Sequence, residues 1–255
     1  MNLNMKGLRA IVTGGSRGIG KATIDNFVSQ GMMVATCSRG VESLNASLST
    51  WNKSDTHVYG EAVDVTDAKA YEAWFHRAVK QLGGVDIIVS NVSTRIETQG
   101  LERWQDTFEV DLLQHVRTTN IAIPYLKQSE SASVVYVGSV ASIMNNNSPS
   151  ELEYGAMKAA LVSYAGQLAH QIGPEGIRVN LVSPGPIHHK EGFWEMVKNN
   201  QPDLYERVSS ASVFNRMGTV EEVANSITFL SSPAASNVTA ANLRVDGGCM
   251  KTANF

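Results

Sequence analysis

Short runs of β-branched and apolar residues alternate along this chain with longer stretches whose apolar positions repeat at helical spacing. The runs Leu8–Thr13, Met32–Ser38, His57–Val63, Val85–Ser90, Ser133–Gly138, Arg178–Val182 and Asn242–Val245 are short, dense in Val and Ile, and bounded by polar or glycine-containing segments, so they are predicted strands. Between them, Ile19–Gln30 carries apolar side chains at Ile19, Ala22, Ile24, Phe27 and Val28, and Tyr71–Leu82 carries a stripe from Tyr71 through Trp74, Phe75, Ala78 and Val79 to Leu82. Trp104–Leu126 and Tyr154–Ile172 are the long predicted helices. Alternating strands and helices imply parallel strands joined by crossovers, and crossovers are right-handed. The expected fold class is therefore α/β: a single-domain, doubly wound parallel sheet (a Rossmann fold) over residues 1–255, with helices on both faces. Met32-Met33 is expected in the core. Asn145–Ser150 is predicted to be a loop, and the rhythm breaks at residues 186–215, where Phe193, Trp194, Met196 and Val197 suggest a small helical substrate lid.

At 255 residues the chain can bury a full core without disulfide or metal staples. Its 21 basic and 24 acidic residues leave a net charge of −3, which gives no electrostatic footprint for nucleic acid. No apolar run approaches the ~18 residues of a membrane span, and Met1–Lys6 lacks the apolar centre of a signal peptide. Cys37 and Cys249 are far apart and lack metal-ligand spacing, so a reduced cytoplasmic setting is expected. His188-His189 with Glu191 is a poor metal candidate, because adjacent histidines seldom converge on one ion; no metal is expected, and the two are assigned to the substrate mouth.

Candidate chemistry begins at Thr13-Gly14-Gly15-Ser16-Arg17-Gly18-Ile19-Gly20, between the first strand and the first helix. Glycines there permit positive φ and bring backbone N–H groups close to a pyrophosphate, while the helix N-terminus offers free donors. The spacing Gly14, Gly18, Gly20 matches neither Gly-x-Gly-x-x-Gly nor a P-loop. Where an acid would bind a ribose 2′-hydroxyl, at the end of the second strand, stand Ser38 and Arg39. Arg39 and Arg17 instead suit a 2′-phosphate, which favours NADP(H) over NAD(H). Further on, Tyr154 and Lys158 are spaced i, i+4, on one helix face. A free phenol titrates near ~10; a neighbouring ammonium and a nicotinium ring favour the phenolate and suit the pair to acid–base work. Ser139, just past the fifth strand, belongs at the same carboxyl edge of the sheet and can donate to a carbonyl oxygen.

Taken together, Thr13-Gly14-x-x-x-Gly18-Ile19-Gly20, Asp64-Val65, Ser139, Tyr154-x-x-x-Lys158, Arg178-Val179-Asn180, Ser183-Pro184-Gly185 and Val245-Asp246-Gly247-Gly248 resemble the short-chain dehydrogenase/reductase family of the compact type that includes 3-oxoacyl reductases, over nearly the whole chain. The resemblance implies that Tyr154 is the general acid in carbonyl reduction and the base in alcohol oxidation. Lys158 would favour the phenolate and hold the nicotinamide ribose, and Ser139 would orient the carbonyl. For the cofactor, the loop reading and the resemblance together imply Gly14, Ser16, Gly18 and Ile19 at the pyrophosphate, Arg17, Ser38 and Arg39 at the adenosine ribose and its 2′-phosphate, Asp64 and Val65 at the adenine, Asn91 along its length, and Pro184, Gly185 and Ile187 at the nicotinamide. A homotetramer or homodimer, built through the long helices, is implied as well.

The chain departs from the family pattern at four places. Asn-Asn-Ala-Gly after the fourth strand reads Ser90-Asn91-Val92-Ser93; the helix Asn that holds a water linked to the lysine aligns with Asp111; a Thr aligns with His189; and the segment from Ser139 to Tyr154 is lengthened around Asn145–Glu153. A carboxylate at Asp111 would stabilise Lys158 as a cation yet oppose phenolate formation; a protonated Asp111 could instead relay a proton, or the residue could merely preserve the same acceptor oxygen. The expected function is NADP(H)-dependent hydride transfer between a ketone or aldehyde and an alcohol. A 3-oxoacyl thioester and a small cyclic, sugar-like or natural-product ketone are the substrate candidates. A non-catalytic NADP(H)-binding regulator is the alternative, and redox-neutral dehydration or epimerisation a more distant one.

Overall fold

The strands β1 (Arg9–Thr13), β2 (Met33–Ser38), β3 (Val58–Ala62), β4 (Ile87–Ser90), β5 (Ser133–Val137), β6 (Arg178–Pro184) and β9 (Asn242–Val245) form one sheet in the order β3-β2-β1-β4-β5-β6-β9. Every pairing in it is parallel. Two further strands, β7 (Ile187–His188) and β8 (Gly218–Thr219), pair with each other outside the sheet. The helices are α1 (Gly18–Ser29), α2 (Val41–Trp51), α3 (Ala68–Leu82), α4 (Gly100–Phe108), α5 (Gln114–Leu126), α6 (Leu152–Ile172), α7 (Phe193–Asn200), α8 (Pro202–Ser209) and α9 (Val220–Ser231). The computed structural model describes residues 2–52, 58–93, 97–145 and 152–252. His57 and most of the expected loop at Asn145–Ser150 lie outside the described residues.

The sheet is buried on both faces, and its strands show why. Ile11, Ala35, Cys37, Ile88, Val134, Tyr136, Val179 and Leu181 join one core with Tyr71, Trp74, Phe75, Leu126, Leu161 and Leu168 from α3, α5 and α6. Their neighbours Ala10, Val12, Val34, Ile87, Val89, Val135, Val137 and Val182 join a second core with Ile24, Phe27, Val223 and Ile227 from α1 and α9. Successive side chains point to opposite faces, so a strand covered on both sides reads as a continuous apolar run. Tyr71, Trp74 and Phe75 stack in tilted and edge-on pairs with centroids 5.5–6.3 Å apart. Phe75 is fully buried, so Phe75→Ala is expected to destabilise the fold by about 3–5 kcal/mol, read as a lowered denaturation midpoint at unchanged slope.

Some expectations shift. The long helix expected from Trp104 begins at Gly100, and a π-helical turn at Glu109–Leu113 separates α4 from α5. Met32 is in the core as expected, but Met33 opens β2 with its side chain outward, 40% exposed. The helix α2 lacks a sequence expectation because its serine-rich segment carries only a thin apolar stripe at Leu44, Leu48 and Trp51. The 186–215 excursion does contain two short helices, α7 and α8, which pack against each other. No described helix is long and apolar enough to cross a membrane.

Candidate active site

The strand order reverses between β1 and β4, and the tips of these two strands open the carboxyl-edge crevice where a doubly wound sheet binds ligands. The glycine loop follows β1. Gly14 and Gly18 adopt φ of +71° and +58°, conformations that L side chains rarely adopt. A Cβ on Gly20 would lie 2.3 Å from the Gly14 carbonyl oxygen, so the loop folds tightly onto the start of α1. Arg17 occupies the N-cap of α1 without a side-chain cap, leaving first-turn N–H groups unengaged by any cap. A cradle closed to Cβ atoms, floored by glycines and edged by uncapped donors, fits a dinucleotide pyrophosphate.

Asn91 has a more specific place than the resemblance implies. Its Nδ2 donates to the carbonyls of Thr13 and Gly14 at 3.0 and 3.2 Å, and its backbone N–H to Thr13 Oγ1 at 3.0 Å. The side chain is thus a brace between the β4 tip and the glycine loop. Ser38 ends β2 half-buried, while Arg17 and Arg39 are exposed; neither arginine makes an ion pair among the described residues. Both are therefore available to a 2′-phosphate. Asp64 accepts through Oδ1 from the Thr66 N–H and hydroxyl. Val65 turns into the core and is 5% exposed, so burial rather than ligand contact accounts for most of its side chain. Ser16 accepts from the Ser47 hydroxyl through its carbonyl, and Ile19 packs its side chain partly against the core. Pro184 closes β6; Gly185 is pinned against Asp246, 2.8 Å from where its Cβ would stand; and Ile187 pairs with Gly218.

Tyr154 and Lys158 sit one turn apart on α6, with the Lys158 ammonium 5.6 Å from the Tyr154 ring centre. Ser139 caps the 3₁₀ turn Val140–Ile143, which packs against α6. Its Oγ accepts from the Ala141 N–H at 3.1 Å, leaving the hydroxyl proton free to be donated. The lysine is fully buried. It donates to the Val137 carbonyl at 3.3 Å and pairs with Asp111 Oδ1 at 3.0 Å, both side chains 0% exposed. Burial works against the ammonium, but the charges of Asp111 and Tyr154 outweigh it and hold Lys158 protonated above the ordinary lysine range. Asp111 lies in the π turn, a distortion that often marks functional positions. Its Oδ1 also accepts from Ser93 Oγ at 2.6 Å. Glu153, beside the tyrosine, forms an ion pair with Arg103 that ties α6 to α4.

Two contributors had gone unassigned. His115 hydrogen-bonds Ser90 through Nδ1 at 2.7 Å; burial first, and then the charge of Lys158, keep it neutral, with its pKa well below the usual histidine range. Ser93 was visible only as a lost glycine. The two histidines of the excursion separate: His188 contacts Glu195 at 3.3 Å and Tyr205 at 3.3 Å, whereas His189 lies over Gly18 beside Arg17. No group of three or more His, Cys, Asp or Glu among the described residues is arranged for a metal. Phe193 and Trp194 pack on each other at 5.1 Å, and Met196 is exposed.

The family model described as "Enoyl-(Acyl carrier protein) reductase" matches residues 14–250. The chain belongs to the short-chain dehydrogenase/reductase family. It is similar to isoepoxydon dehydrogenase patN of Penicillium expansum, 34% identical over 251 residues that cover 97% of this chain and 96% of the relative. A tropinone reductase homolog of Arabidopsis thaliana is 33% identical over 250 residues, 96% of this chain and 93% of its own. Among solved structures, L-sorbose reductase from Gluconobacter frateurii, complexed with NADPH and L-sorbose, superposes with a TM-score of 0.89 at 27% identity, covering 99% of this chain and all of that one. This short-chain dehydrogenase/reductase is an oxidoreductase by membership, with carbonyl reductases among its relatives.

Proposed function

We propose that this protein is an NADP(H)-dependent ketone reductase, or the reverse secondary-alcohol dehydrogenase, acting on a small cyclic or polyhydroxylated ketone. The observation that carries the reading is the convergence of Tyr154, the buried Lys158 and the Ser139 turn at the sheet edge that bears the glycine cradle. The names of three relatives, which speak of isoepoxydon, tropinone and L-sorbose, support this substrate class; the 3-oxoacyl reductases also among the relatives, at 28–29% identity, keep a 3-oxoacyl thioester as the competing substrate.

The glycine loop and the first turn of α1 would hold the pyrophosphate, Arg17 and Arg39 the 2′-phosphate, and the stretch from Pro184 to Ile187 would border the nicotinamide. When bound, the cofactor supplies or accepts a hydride. Ser139 donates a hydrogen bond to the substrate carbonyl and fixes its orientation. Tyr154 passes its hydroxyl proton to the developing alkoxide in reduction and takes it back in oxidation. The Lys158 ammonium stabilises the phenolate left behind. Helices α7 and α8 cover the substrate side. On this reading the enzyme is cytoplasmic and assembles as a dimer or tetramer through α5 and α6.

One observation favours a second reading, a non-catalytic NADP(H) binder: Asp111 neutralises the ammonium that should favour the phenolate. A panel of ketones that includes L-sorbose, tropinone and ethyl acetoacetate, followed by NADPH absorbance, separates the two. Ketone-dependent oxidation of NADPH is expected. NADPH binding with no turnover on any ketone or alcohol would favour the binder.

A further inference from the structure

Two of the departures from the family pattern touch each other. Ser93, where the pattern has glycine, ends the β4 segment; Asp111, where it has asparagine, lies in the π turn, 18 positions further along the chain. Ser93 Oγ donates to Asp111 Oδ1 at 2.6 Å, and the same oxygen lies 3.0 Å from Lys158 Nζ. Lys158 and Asp111 are sealed from solvent, whereas Ser93 is exposed. An unbroken file of three polar groups therefore runs from the ammonium beside Tyr154 to the surface.

We propose that Ser93 and Asp111 are the proton route by which Lys158, and through it Tyr154, is recharged from bulk water. The proposal rests on the ketone-reductase reading. Each reduction removes one proton from Tyr154, and the resulting phenolate draws on the neighbouring ammonium. The Asp111 carboxylate takes a proton at Oδ1 as the Ser93 O–H bond breaks, bulk water, or a buffer acid, supplies a new O–H to Ser93, and the new Asp111 O–H bond then breaks as a Lys158 N–H bond re-forms, which restores the carboxylate. One proton enters, no electrons move, and the three groups return to their starting state; alcohol oxidation runs the file outward. Glycine offers no hydroxyl at position 93, and an asparagine amide does not accept and hand on a proton at its oxygen. Among the described residues, the titratable groups facing the file are Tyr154 and Lys158 from α6 and His115 from α5. His115 is neutral and bonded to Ser90, so it does not compete for the proton. Asp111 Oδ2 is buried without a partner among the described residues, so Oδ1 alone connects the two neighbours.

The test uses the full chain with NADPH and the best ketone of the panel, in weak and strong buffer. Ser93→Ala is expected to lower kcat about tenfold in weak buffer, with KM unchanged, and to recover as imidazolium concentration rises. Ser93→Thr, which keeps the hydroxyl, is expected to stay near the parent. Asp111→Asn, which keeps an acceptor for Lys158 but not a relay, is expected to lose at least as much. A purely structural contact would not make the rate depend on a small buffer acid. Parental kcat in Ser93→Ala with no buffer dependence, or parental or higher kcat in Asp111→Asn, overturns the proposal. The control is Tyr154→Phe: if it still reduces the ketone, the function reading has failed; if it is inactive while Ser93→Ala is parental, only the proton route has failed.

Discussion

Tyr154→Phe is expected to lower kcat/KM for the best ketone by about 10³-fold, equivalent to roughly 4 kcal/mol of transition-state stabilisation. Only one oxygen is removed. The ring that flanks Lys158 stays, α6 keeps its packing, and the glycine cradle after β1, which does not touch Tyr154, is unchanged. The dissociation constant for NADPH should therefore stay within about threefold of the parent. Steady-state kinetics and a fluorescence titration of NADPH measure the two quantities on one preparation. Loss of both together would mean that the substitution damages the fold. Undiminished reduction would assign the proton transfer to another group and remove the mechanism proposed above.

The second large effect concerns the choice between two cofactors. Arg39 follows the last residue of β2, exposed and without an ion-pair partner among the described residues. A guanidinium facing a phosphate contributes a charge-assisted hydrogen bond of about 1.5–3 kcal/mol. Arg39→Asp removes that bond and adds a repulsive carboxylate, so the dissociation constant for NADPH is expected to rise about 100-fold or more. NADH carries no 2′-phosphate and should bind as well as before, or better through the new carboxylate. Parallel titrations of the two nucleotides give the ratio. Equal effects on both would leave no role for a 2′-phosphate at this position.

The sheet was legible in the sequence because a strand buried on both faces reads as a nearly continuous apolar run, and Ile87–Ser90 and Ser133–Val137 satisfy that condition. Ends were less legible: β6 runs on to Pro184 because its pairing with β9 continues there. The pair β7 and β8 could not be foreseen, since two-residue strands have no periodicity to read. The π turn was equally hidden. Glu109–Leu113 has the composition of ordinary helix, and the extra residue per turn shows only in the backbone. The position of Tyr154 relative to Lys158 was legible because helical spacing dictates it. The meeting of Ser93 with Asp111 was not, although each stood out singly. It depends on where a loop after β4 and a distorted turn between α4 and α5 bring two distant parts of the chain together. Asn91 illustrates the converse: the resemblance named the residue, but not the contacts by which its side chain holds the glycine loop.

That brace bears on protein engineering. Because Asn91 fastens the glycine loop to a strand tip nearly eighty positions downstream, the loop is not a portable module. A chimera that imported another protein's Gly14–Gly20 stretch alone would receive a loop without its clasp, and one that imported both pieces would receive a preassembled unit. Exchange experiments across this fold should therefore draw their crossover points so that the two travel together.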